Sequence, residues 1–244
     1  MGGQARNLTC ELIGTFALTF IGAGAIVVSG WTGQPGLLGV AIAHGLALSI
    51  AVSATMAISG GHINPAVTVA MLATGRIGFG PAITYIIAQC VGATIAGFLL
   101  AFIFGGLGIA SLEITGSQAV EATNLGTPAF DPSSVKPMMA VIVEIALTFL
   151  LVFAVFGTAV DPRAPRIGGF GIGLTVGMDI LMGGPITGAA MNPARAIGTL
   201  IGGGSVTADL WSQHWVYWVG PIIGGLLAAF VYDGVIMDRQ AKPK

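Results

Sequence analysis

Charge is what this chain has least of. Asp, Glu, Lys and Arg make up 8% of its 244 residues, nine basic against ten acidic, for a formal net charge of -1. Nucleic-acid binding needs a basic face, so no nucleic acid is expected as a partner. Cysteine is nearly absent as well. Cys10 and Cys90 are the two present, both in or beside apolar stretches where a thiol packs as a small apolar group. No Cys/His spacing resembles a zinc site, so no metal and no cofactor is expected. An enzyme is disfavoured because no nucleophile–base pair or metal cluster appears. The first apolar segment begins almost at once, yet it is too long for a signal-peptide core and lacks a cleavage signal.

What fills the chain instead is apolar and small: 55% of residues are hydrophobic and 39 are glycine. That composition is typical of tightly packed transmembrane helices. Apolar runs long enough to cross a bilayer, on the order of 20 residues, fall near 8–29, 37–59, 81–105, 137–160, 167–185 and 214–237. Two further apolar segments, 65–74 and 193–202, are half that length. At 1.5 Å per residue each reaches roughly 15 Å, half the hydrocarbon core, so each reads as a re-entrant half-helix. The expected fold is therefore an all-α membrane protein with six transmembrane helices and two re-entrant half-helices.

Basic residues orient it. With both termini cytoplasmic, Arg6, Arg76, Arg163, Arg166, Arg239, Lys242 and Lys244 fall inside and Lys136 outside, as the positive-inside rule requires. The stretch 106–136, rich in Pro, Ser, Asp and Gly, reads as a long extracellular loop, and Asp161 to Arg166 as a short cytoplasmic turn. Arg195 belongs to neither side, since it sits in the second half-helix at membrane depth.

Both half-helices begin alike. Asn64-Pro65-Ala66 recurs as Asn192-Pro193-Ala194, 128 residues later. Asparagine is a preferred N-cap and proline is favoured at the first helical position, so each tripeptide starts a helix. The repeat is wider than that. Glu11, Thr15, Phe16, Leu18 and Phe20 match Glu144, Thr148, Phe149, Leu151 and Phe153, and Val91-Gly92 through Leu99 match Val219-Gly220 through Leu227. Each half carries three spans, so the second enters the membrane from the opposite side. The expected organisation is one channel domain over 1–244, with inverted halves of about 1–110 and 135–240.

Backbone that leaves a helix at membrane depth is tolerated only where it packs in protein or lines a water-filled cavity. Residues 60–63 and 188–191 are such breaks. Their carbonyls (Gly60, Gly61, His62, Ile63, Gly188, Ala190, Met191) would line a pore, with the Asn64 and Asn192 amides offering donors at its midpoint. Two helix N-termini converge there, each with roughly +0.5 of an elementary charge, which raises the energy of any cation.

These paired motifs make the chain similar to the aquaporin (major intrinsic protein) family over essentially its whole length. The resemblance implies a six-helix bundle with a pore in each subunit of a homotetramer. It places an outer selectivity filter at four positions matched by their distances from the motifs: His44, Ile180, Ala189 and Arg195. The Arg195 guanidinium would supply donors and fixed charge, His44 a polar edge, and Ile180 and Ala189 apolar walls. It also implies that Glu11 and Glu144, intramembrane carboxylates, accept bonds from loop N–H groups and hold the carbonyls toward the pore.

Strict water channels of the family carry an aromatic and a histidine at the first two filter positions. The His44 and Ile180 pair, with Thr158-Ala159-Val160-Asp161-Pro162, is similar to the plant tonoplast intrinsic proteins. Water and small neutral solutes (ammonia, urea or hydrogen peroxide) are the permeants this implies. Ala196 after the arginine and Tyr217-Trp218 at the last span depart from the glycerol-conducting pattern, which leaves a glycerol facilitator as the alternative. Ala189 stands where mercury-sensitive members have cysteine. A proton-coupled transporter using Glu11, Glu144 or Asp179 is the alternative of another class. The resemblance assigns no role to Asp179, and a paired structural carboxylate is expected there. Glycines 169, 173 and 177, and 220 and 224, are expected to pack helices within the bundle. His62 is expected to orient its loop.

Overall fold

The structure, a computed structural model of the chain, describes residues 3–107, 115–165 and 167–238. Among them the chain forms α1 (Gly3–Thr32), α2 (Gly36–Ser59), α3 (Pro65–Ala73), α4 (Phe79–Gly105), α5 (Gly116–Thr123), α6 (Pro137–Val155), α7 (Phe170–Thr187), α8 (Pro193–Gly202) and α9 (Val216–Val231). Two helices end in a π-turn, α6 at Phe156–Val160 and α9 at Tyr232–Ile236. Six helices are long and apolar enough to cross a membrane: α1, α2, α4, α6 with its π-turn, α7, and α9 with its π-turn. The half-helices α3 and α8, of 9 and 10 residues, lie where the sequence puts them.

Glycine sets how closely the helices cross. A Cβ on Gly173 would overlap the Gly45 carbonyl and the Ser49 side chain, joining α7 to α2, and one on Gly220 or Gly224 would meet Glu144 or Ile145, joining α9 to α6. Gly92 meets the Leu12 backbone between α4 and α1, and Gly198 and Gly202 meet Ala93 and Gly97 between α8 and α4. Lipid supplies no hydrophobic drive between helices, so close backbone approach carries the packing. The glycine rows at 169–177 and 220–224 thus pack helices inside the bundle, as expected.

Three sequence expectations shift. The span read as 167–185 runs from Phe170 to Thr187. Gly168 is left-handed, the Gly169 N–H donates to Ser53 Oγ at 2.8 Å, and the helix continues past Pro185 to a left-handed Gly188. The loop at 106–136 is in part helical: Thr115 opens α5 with a capping box shared with Gln118. Residues 108–114 of that loop, with Arg166, Arg239, Lys242 and Lys244, lie outside the described residues. Asp179 is the third. It is 1% exposed, and neither carboxylate oxygen has a hydrogen-bond partner. Its side of α7 is buried, yet no donor among the described residues reaches it, so the pairing expected of a buried carboxylate is missing there. Cys10 and Cys90 are unpaired and partly exposed.

Candidate functional site

The site is built by the two helix starts. Asn64 Oδ1 caps α3 by accepting from Ala66 N at 2.8 Å, and Asn192 Oδ1 caps α8 by accepting from Ala194 N at 3.0 Å and Arg195 N at 3.2 Å. Capping fixes each amide, and its NH2 points across to the other half. Asn64 Nδ2 donates to Met191 O and Asn192 Nδ2 to Ile63 O, both at 2.8 Å. The half-helices therefore meet head to head. Each amide carries two N–H bonds, so one per asparagine is left for a permeant. Both side chains line one narrow lumen.

Two carboxylates shape the breaks before these caps. Glu11 accepts from Ser59 Oγ at 2.7 Å, His62 N at 3.0 Å, Ile63 N at 2.6 Å and Gln89 Nε2 at 2.8 Å. Glu144 accepts from Thr187 Oγ1 at 2.7 Å, Ala190 N at 3.0 Å and Met191 N at 2.8 Å. Both are fully buried. Pulling successive N–H groups onto one carboxylate forces Ile63 and Met191, the residues before each asparagine, to φ of 54° and 52°. A side chain there costs about 1–2 kcal/mol, which charge-assisted hydrogen bonds of about 1.5–3 kcal/mol each outweigh.

Not every residue of the two breaks lines a cavity. Gly61, His62, Ala190 and Met191 line the lumen, and Gly188 lines the outer vestibule. Gly60 and Ile63 line neither cavity. The carbonyl of Ile63 is taken by Asn192, a cross-half bond that spacing along the chain does not reveal.

His44, Ile180 and Arg195 come together where the vestibule meets the lumen, lining both, and Ala189 lies on the lumen side. His44 Nδ1 lies 2.9 Å from Val40 O, so that nitrogen carries the proton and Nε2 accepts from Arg195 Nη2 at 3.3 Å. Arg195 is 2% exposed and its Nη1 has no protein partner. The vestibule has a volume of about 440 Å³ and the lumen about 30 Å³. The lumen volume suits a file of about two or three waters. Its long walls are apolar, formed by Leu48, Val52, Leu151, Val155, Ile172 and Val176.

Several participants carry no sequence signal. A Cβ on Gly22 would fall on the His44 imidazole, so α1 must be bare there. Tyr85 and Tyr217 hydroxyls donate to the carbonyls of Ser59 and Thr187, at 2.9 and 2.8 Å, from positions one helical turn apart in the two halves. Thr127, Pro128 and Ala129 bring the loop between α5 and α6 to the vestibule wall. His62 does tie its loop down, its Nδ1 3.1 Å from Thr68 Oγ1. The ring stands edge-on to Tyr85.

Six membrane helices closing around two opposed half-helices, with one thin lumen between a polar constriction and an apolar tube, define a channel-forming membrane protein. The profile of the major intrinsic protein family matches residues 3–232. The maize aquaporin TIP4-4 is 43% identical over 97% of this chain and 89% of its own length. A probable aquaporin TIP3-2 of Arabidopsis thaliana is 40% identical over 98% and 86%. The solved aquaglyceroporin of Plasmodium falciparum superposes with a TM-score of 0.80 at 25% identity, covering 96% of this chain and 97% of that one. The chain belongs to the major intrinsic protein family, the aquaporins.

Proposed function

We propose that the protein is a passive, multi-pass membrane water channel that also passes small neutral solutes (ammonia, urea or hydrogen peroxide) while excluding protons and ions. The observation that carries this reading is the pair of crossed asparagines. Each has one bonded and one spare N–H inside a lumen whose long walls are apolar. A water passing there turns its oxygen to both amides, which interrupts a proton-conducting file, and the two helix N-termini repel cations. His44, Ile180, Ala189 and Arg195 choose the permeant, with Ile180 supplying no donor or acceptor. Glu11 and Glu144 serve as anchors for the loops, since their acceptor sites are filled by donors. The maize and Arabidopsis relatives are named as aquaporins, which supports water as the permeant.

The chain acts as one channel unit of two inverted halves, with both termini cytoplasmic, assembled as a homotetramer. Glycerol is the second reading, favoured by the likeness to an aquaglyceroporin structure. Ala196 and Tyr217-Trp218 weigh against it. Stopped-flow light scattering of proteoliposomes, shrinking in sucrose and swelling in urea, methylammonium and glycerol gradients, separates these readings. Water flux above the lipid control with no proton gradient is expected, with urea and the neutral methylamine present in the methylammonium gradient following and glycerol lagging. Flux equal to the lipid control, or one that needs a proton gradient, overturns the reading.

A further inference from the structure

The half-helix α3 is a rod of 9 residues with Asn64 at its inner end, roughly 14 Å long. Whatever holds its outer end sets the depth of Asn64. That end closes in a Schellman turn. Gly75 is left-handed at φ 72°, its N–H donates to Leu72 O at 3.1 Å, and the Arg76 N–H donates to Met71 O at 2.8 Å. Arg76 therefore leaves the helix in one fixed direction.

Its guanidinium is held on several sides. Nη1 donates to Thr74 O at 3.3 Å, Nη2 pairs with Asp233 Oδ1 at 2.7 Å, and Cζ lies 5.1 Å over the Phe156 ring. A cation is favourable at a helix C-terminus, over an aromatic face and beside a carboxylate, and all three apply at once. Asp233 is 7% exposed, so solvent screens the pair weakly from its side.

The partners come from other parts of the chain. Phe156 opens the π-turn that ends α6, and Asp233 stands in the π-turn that ends α9. Single π-turns recur at functional positions, where the extra residue turns side chains away from the ordinary helical face. The two turns are joined: the Tyr232 hydroxyl donates to Asp161 at 3.4 Å, and Arg163 donates to Asp161 at 2.7 Å and to Ile236 O at 3.1 Å. By contrast, the last turn of α8 is met by the neutral Thr207 hydroxyl, which donates to Leu200 O at 2.6 Å.

We propose that Arg76 and Asp233 are a positioning pair, which seats the first half-helix on the ends of α6 and α9 and so sets the depth at which Asn64 meets Met191. Neither residue touches the permeant. Both act through α3. The consequence for permeation rests on the channel reading above, but the seating itself does not.

The test uses Arg76→Gln, Asp233→Asn and the double variant of the full chain. Water permeability is counted per channel in proteoliposomes, and hydrogen exchange is followed in the peptide covering residues 64–73. Each single change is expected to lower per-channel permeability about threefold and the double no further than the worse single, the non-additivity of one shared interaction. Exchange in 64–73 should rise about tenfold in each single. Unchanged exchange overturns the seating, whatever the flux. Faster exchange with normal per-channel flux overturns the positioning role and leaves a structural one, as does a double loss equal to the product of the singles. A wild type without flux above the lipid control defeats the channel reading instead, and the exchange arm still decides the seating. If a neutral variant does not fold, Arg76→Lys, which keeps the charge without the planar fork, should show a smaller change of the same sign. Wild-type behaviour in both arms for that variant overturns the need for the fork.

Discussion

Ile63 and Met191 adopt left-handed backbone conformations that side chains other than glycine avoid. Glu11 and Glu144 hold them there. Replacing Glu144 with Gln exchanges an acceptor-only group for one with two N–H donors facing the Ala190 and Met191 amides. We expect a loss of about 1–3 kcal/mol, read by thermal unfolding in detergent, together with a fall in water flux. Equal stability and flux would remove Glu144 from the support of the loop. At the constriction, Gly22→Ala puts a methyl on the His44 ring and displaces it from Arg195. Crowding of this kind costs about 1–3 kcal/mol, and the ratio of urea to water permeability should change with it. Asp179 behaves oppositely. Its carboxyl is buried without a donor, so Asp179→Asn should leave flux intact and raise stability by about 1–3 kcal/mol. A destabilised Asn variant would mean that the carboxyl has a partner after all.

Among the elements, the turn between α6 and α7 carries the clearest pH signature. The Arg163 side chain, then its backbone N–H, hold the Asp161 carboxyl down to about 2. A carboxyl whose folded value is depressed adds stability that is complete above its unfolded value, about 3.9, and is lost as pH falls through the folded value. The difference in unfolding temperature between wild type and Asp161→Asn should therefore be constant from about pH 8 to pH 5 and shrink below about pH 4. A difference that varied between pH 5 and 8 would point to another titrating group. The half-helices show what local sequence settles: Asn-Pro-Ala supplies the cap and the first residue, and both helices start at that proline. Their ends were less legible: the left-handed Gly75 that closes α3 and the seat of Arg76 on Phe156 and Asp233 came from the structure, and that seat joins residues far apart in the chain.

At the scale of the whole molecule, the constriction is the joint product of α2, α7, the loop that carries Ala189 and the second half-helix, and the filter is proposed there. His44→Ala with Arg195→Val removes the ring and the guanidinium that face each other at 3.3 Å. The opening should widen, and glycerol permeability should rise relative to water in the same proteoliposomes. An unchanged ranking of solutes would mean that the filter lies elsewhere. Mercury should not block the pore at Ala189, which has no thiol, and Cys10 and Cys90 line neither cavity.

The residues alone determined the membrane class, the six spans and the two half-helices, because apolar length and helix-start chemistry are local properties. The paired tripeptides also made the meeting of two helix ends legible. Only the tertiary structure decided that the carbonyls of Ile63 and Met191 are bonded across the halves, by Asn192 and Asn64. It alone left Asp179 without a donor and brought Gly22 under His44. Hydrogen-bond partners and close approaches are set by how helices cross, and a crossing is a relation between distant residues that no single stretch of sequence contains.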